Sequence, residues 1–151
     1  MTVNQPHRAS GLIHVSPAGP ENPDALAAGS VVCGGLVHTT VIPRNEDGSI
    51  ETGGIRGQSE RIFATLENVL GRSGSSLANL IHLTIYLTDI ADRDIFNEVY
   101  TQHVPRPFPS RCALQVSALA VVGMKVEVTA VAALTGDQDR PSVESPRLQH
   151  K

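Results

Sequence analysis

The chain has 151 residues, of which 40% are hydrophobic, 18% charged and 3% aromatic, with a formal net charge of −3. That length suits a single domain with a sizeable core, and the composition is that of an ordinary soluble globular protein. The negative balance and scarce aromatics argue against a nucleic-acid binder, which needs a basic footprint and stacking platforms.

Residues 1–10 carry no apolar h-region and are expected to be frayed. No apolar run reaches the length of a membrane span. Cys33 and Cys112 lie far apart and read as reduced thiols, which sets the expectation of a cytoplasmic protein. Gly11-Leu12-Ile13-His14-Val15 predicts a short strand, followed by a Pro/Gly/Asn-rich loop to about Pro23. Ala25 to Ala28 predict a further strand that turns at Gly29-Ser30. Val31-Val32-Cys33-Gly34-Gly35-Leu36-Val37 reads as one buried strand whose glycines imply a bulge or a close backbone approach. Asn45-Glu46-Asp47-Gly48 has the chemistry of a turn.

From Ile55 the period changes. Ile55, Ile62, Leu66, Val69 and Leu70 fall at helical spacing, and Gly71 to Gly74 stop that helix. Ile81, Leu83, Ile85 and Leu87 then alternate with His82, Thr84, Tyr86 and Thr88, predicting a strand with one apolar face. A second helix is expected over about 92–103, with Ile95, Phe96, Val99 and Tyr100 on one side. Pro105, Pro107 and Pro109 enforce an extended connection. Two more strands follow. In the first, Arg111, Ala113 and Gln115 share a face against Cys112, Leu114 and Val116. In the second, Lys125, Glu127 and Thr129 oppose Val126, Val128 and Ala130. After Leu134 periodicity ends, and residues 135–151 read as a loose tail behind a single domain at 1–134.

The strand–helix–strand segment from 79 to 116 is expected to be a right-handed parallel crossover. It yields an α+β mixed sheet with both helices on one face. The opposite face then needs cover, which identical copies can supply through His82, Thr84 and Tyr86.

Arg111 and Glu127, read as lying on neighbouring strands, are the chemistry-bearing pair. Guanidinium matches carboxylate geometry with two parallel hydrogen bonds, and a positioned carboxylate moves protons. On spacing alone the same pair reads more readily as a structural ion pair. Cys33 and Cys112 read as small buried hydrophobes, His82 and His103 show no metal-ligand spacing, and Gly53-Gly54 offers at most an anion seat at a helix start.

Pro109-Ser110-Arg111 with the Glu127-centred strand resembles the reactive intermediate deaminase (Rid, or YjgF-like) family. Glu67-Asn68-Val69-Leu70, Tyr86-Leu87-Thr88-Asp89-Ile90 and Phe96-Asn97-Glu98-Val99-Tyr100 add to the resemblance, which runs over residues 31–134. It implies a chorismate-mutase-like fold assembled as a homotrimer, with sites in clefts between subunits. It also implies cofactor-free, metal-free hydrolysis of enamines and imines such as 2-aminoacrylate to 2-keto acids and ammonia. On this resemblance Arg111 grips the substrate carboxylate, Glu127 handles the water and Asn97 lies near the site. Backbone around Cys33, Gly34, Cys112 and Ala113 orients water or imine. The chain lacks a tyrosine in Gly19-Pro20-Glu21-Asn22-Pro23 and carries Ala113 in place of a cysteine. It also reads Cys33-Gly34-Gly35 where Ser-Gly-Gln is common, and its Arg111-to-Glu127 spacing is one residue long. These departures keep open a specialised deaminase of a longer substrate such as 2-aminomuconate, and a non-catalytic binder of small carboxylates or partner proteins.

Overall fold

A computed structural model of the protein describes residues 11–17 and 23–136, among which six strands form one mixed sheet. The strands are β1 (Ile13–Val15), β2 (Ser30–Cys33), β3 (Leu36–Val41), β4 (Leu80–Leu87), β5 (Ser110–Gln115) and β6 (Val126–Ala133). Their spatial order is β1-β2-β3-β6-β4-β5, and β4 with β5 is the parallel pair among antiparallel ones. Two helices, α1 (Gly54–Arg72) and α2 (Arg93–His103), pack together on one face. α1 lies over β3 and β6, and α2 reaches β5. This is the α+β layout expected from the residue pattern, including a parallel crossover through α2. The expected frayed start and the 18–22 loop lie outside the described residues, as does the tail beyond 136. Thr135 is tied down: its amide donates to the Gly74 carbonyl at 2.8 Å and its hydroxyl accepts from Asn79 at 3.0 Å.

Periodicity explains the core. Ile62, Phe63, Leu66 and Leu70 of α1 and Phe96 and Val99 of α2 meet Val37, Leu83, Ile85, Leu87, Val126 and Val128, all fully buried. Each such side chain contributes about 1.5–3 kcal/mol by leaving water. Strand β6 alternates cleanly, with Val126, Val128, Ala130 and Ala132 inward and Glu127, Thr129, Val131 and Ala133 on the other face.

Three local readings are corrected. Residues 25–28 form bends rather than a strand, and Gly29 N–H simply closes onto the Val15 carbonyl at 2.8 Å. Val31 to Val37 is not one bulged strand but a hairpin. Gly34 and Gly35 have φ of 57° and 76°, the two positive values that a tight two-residue turn between twisted strands requires. In β4 the pairing with β6 shifts between Leu80 and His82. The shift turns Leu80 inward and leaves Ile81 44% exposed, so the apolar face is Leu80, Leu83, Ile85 and Leu87.

Candidate functional site

Arg111 is the second residue of edge strand β5, opposite Leu83 of β4, and it points to the helical face. There α2 receives it. Its Nη2 donates to Asn97 Oδ1 at 2.7 Å, and its guanidinium lies 4.5 Å from the centre of the Tyr100 ring. Asn97 and Tyr100 are three apart on a helix, hence neighbours on one surface, so a single helix face supplies both contacts. A guanidinium over an aromatic face adds electrostatic attraction to packing.

The platform below is aromatic. Tyr100 contacts Phe63 (6.1 Å between ring centres) and Phe108 (5.2 Å), and Phe63 contacts Phe96 (5.6 Å). The chain has three phenylalanines, and all of them are gathered here. Burial pushes the Tyr100 phenol above its ordinary value, against the opposing pull of the Arg111 and Arg106 charges. Arg111 Nη1 and the Tyr100 hydroxyl are both buried and have no hydrogen-bond partner among the described residues.

Glu127 is elsewhere. It is the second residue of β6, directly across from Tyr86 on the face away from the helices. Its carboxylate has no hydrogen-bond or ion-pair partner among the described residues. The expectation that Arg111 and Glu127 occupy neighbouring strands is therefore corrected, because β4 inserts between β5 and β6. Their positions differ by three residues along β4 and by two strand spacings, each about 10 Å, and they lie on opposite faces. An ion pair between them within one copy is excluded.

The other expected contributors are also dispersed. Cys112 is exposed on β5, paired with Thr84, whereas Ala113 turns toward the core. Cys33 and Gly34 sit at the β2–β3 hairpin, where Cys33 pairs with Leu36 and Leu36 with Ala133. That is the far end of β6 from Glu127. The strand pairing instead surrounds Glu127 with Tyr86, Thr84, Thr129 and Thr40 on the open face. The polar half of the β4 alternation signalled Thr84 and Tyr86; nothing in the spacing signalled Thr40.

At the start of α1, Gly54 has φ of 67°, and the carboxylate of Glu51 accepts the Gly53 N–H at 2.9 Å. The two glycines serve this backbone path, and an acidic side chain already occupies the helix start, so the anion seat is withdrawn. Beside it is an open cleft of about 590 Å³ lined by Arg44, Glu51, Gln58, Val122 and Lys125 among others. It lies apart from Arg111. Among the described residues no helix is long and apolar enough to cross a membrane.

Residues 20–134 match the family described as endoribonuclease L-PSP. The chain belongs to this family, the YjgF or Rid family. One relative, the protein mmf2, mitochondrial, of Schizosaccharomyces pombe, is 33% identical over 121 residues, which cover 79% of this chain and 91% of that protein. The 2-iminobutanoate/2-iminopropanoate deaminase of Homo sapiens is 33% identical over 85 residues, covering 56% of this chain and 61% of the deaminase. Among solved structures, RidA from the Antarctic bacterium Psychrobacter sp. PAMC 21119 superposes with a TM-score of 0.70 at 26% identity, over 79% of this chain and 94% of that one.

Proposed function

We propose that this protein is a cofactor-independent deaminase that hydrolyses enamine and imine intermediates of amino acids, such as 2-aminoacrylate, to 2-keto acids and ammonia. The observation that carries the reading is the state of Arg111. Its guanidinium is pinned by Asn97 and Tyr100, yet Nη1 is buried without an acceptor among the described residues. A buried ionised donor left unpaired costs more than an ordinary lost hydrogen bond, so this geometry suits a small anion such as a substrate carboxylate. Relatives named as reactive intermediate and 2-iminobutanoate/2-iminopropanoate deaminases support the same chemistry.

In this mechanism Arg111 holds the carboxylate and Asn97 holds Arg111. The enamine takes a proton from solvent at its methylene carbon and becomes the protonated imine. Glu127 removes a proton from water as its oxygen bonds to the imine carbon. The carbinolamine then receives that proton on nitrogen, and as the C–N bond breaks its hydroxyl gives up its own proton to solvent, so that ammonia leaves with a C=O in its place. Because Arg111 and Glu127 face opposite ways in one copy, the working site is built between two subunits of a homotrimer, Arg111 from one and Glu127 from the next. The open sheet face carrying Thr40, Thr84, Tyr86 and Thr129 is the surface that packs in this assembly. Cys112 and Ala113, on the strand of Arg111, supply backbone groups beside the carboxylate. The two free thiols fit a cytoplasmic setting.

The test is release of ammonia and pyruvate from 2-aminoacrylate generated in situ by a serine dehydratase. Acceleration by the wild type that disappears in Arg111→Ala supports the reading. No acceleration rejects 2-aminoacrylate and turns the test to 2-aminomuconate, the longer substrate that the absent loop tyrosine and Ala113 keep open. Carboxylate binding without turnover of either compound contradicts the enzyme and leaves a binder.

A further inference from the structure

The mechanism leaves unused one buried polar side chain that makes an unusual number of bonds. Gln58 lies early in α1 and is 2% exposed. Its Nε2 donates to the Glu51 carbonyl at 2.9 Å and to the Gly123 carbonyl at 2.8 Å. Its Oε1 accepts the Lys125 N–H at 2.7 Å. One amide thus joins the segment before α1 to the loop before β6. Buried side-chain hydrogen bonds of this kind leave stranded partners when removed, so the arrangement is costly to break.

Its place relative to Glu127 gives the clamp a purpose. The ladder between β3 and β6 ends at the Val41–Val128 pair, so Glu127 is the first residue of β6 beyond the reach of β3. From there backward β6 is held on one side by β4, through the Tyr86–Glu127 and Leu87–Val126 pairs and the Thr88 N–H donated to the Lys125 carbonyl at 3.0 Å. Gln58 takes the Lys125 N–H, one residue before β6 begins. The loop that Gln58 grips is otherwise loose in character, with Val122 98% exposed at its tip.

We propose that Gln58 is a positioning residue that fixes the start of β6 and thereby aims the Glu127 carboxylate. The catalytic part of this inference rests on the role of Glu127 proposed above. The placement of the strand does not. Gln58 touches neither substrate nor reacting atoms; it acts through the Lys125 backbone, two residues before Glu127.

Gln58→Leu removes all three bonds, whereas Gln58→Glu keeps an acceptor for the Lys125 N–H. Val37→Ala, a core cavity at the far end of β3, controls for general destabilisation. In Gln58→Leu, kcat is expected to fall at least about tenfold with KM within about twofold, because the Arg111 clamp is untouched. Gln58→Glu recovers part of that loss, and Val37→Ala shows none of it. Amide exchange at Lys125 and Val126 is expected to quicken at least about tenfold in Gln58→Leu, while exchange at Arg111 and Ala113 stays as in wild type. Unchanged exchange at Lys125 and Val126 overturns the clamp. Faster exchange with wild-type kcat overturns its link to Glu127. Should the wild type fail to turn over an imine, the deaminase reading falls, and the exchange difference alone decides whether Gln58 sets the strand.

Discussion

The two ends of the candidate chemistry are built differently. Arg111 is finished inside one copy: Asn97 bonds it, Tyr100 lies against its plane, and the phenylalanines behind that ring fix the platform. Glu127 is unfinished, on an open sheet face and without a side-chain partner among the described residues. The contrast teaches that a binding group and a proton-handling group have separate demands. A guanidinium that must present free donors needs its orientation over-determined. On the proposed mechanism, a carboxylate that must meet water and substrate stays open until a second subunit covers it.

Changes at four positions would break or sharpen this contrast. The largest effect is expected from Glu127→Gln, which removes the proton carrier. It should lower kcat by about 10²–10⁴-fold and leave KM nearly unchanged. The opposite pattern in steady-state kinetics makes Glu127 a binding group. Arg111→Ala should weaken substrate binding by about 1.5–3 kcal/mol, and Arg111→Lys should recover only part, since an ammonium cannot offer two parallel bonds. Equal kcat/KM for Arg111→Ala and wild type removes Arg111 from the site.

Asn97→Ala should raise KM by a smaller step, about 1 kcal/mol, because it loosens the clamp without deleting it. The smallest effect concerns Tyr100. Its proton is held more tightly in the folded chain than in the unfolded one, so that stabilisation is complete at neutral pH and is lost as pH rises past the ordinary tyrosine value of about 10. In denaturant titrations Tyr100→Phe should flatten the alkaline fall in stability and, by keeping the ring, leave KM within about twofold. A KM change as large as that of Asn97→Ala assigns the hydroxyl a direct role.

The same two regions show how far the residues could be read. Helical spacing located α1 and α2, and the Arg111/Ala113 and Val126/Val128 alternations located β5 and β6 with their faces. Contact between elements was less legible. Chain order placed β5 beside β6, whereas the crossover through α2 carries β5 to the edge and lets β4 take the central place. Gly34-Gly35 between two apolar runs reads as a hairpin turn as readily as a bulge, and the pairing of Cys33 with Leu36 decides for the hairpin. The Leu80–His82 irregularity displaces a single residue and leaves no trace in composition. Gln58 resembled any polar residue near a helix start, because the loop before β6 that it bonds lies 65 residues away in sequence.

The central claim is that Arg111 of one copy serves Glu127 of another, and mixed assemblies test it most directly. Arg111→Ala and Glu127→Gln chains are refolded together in equal amounts and assayed for imine hydrolysis at substrate well below KM, with the residual activity of each chain alone subtracted. Sites shared between subunits predict recovery of about a quarter of wild-type activity, since every mixed trimer regains one intact site of three. No recovery from mixtures shown to exchange subunits places both residues in one copy's site and contradicts the account.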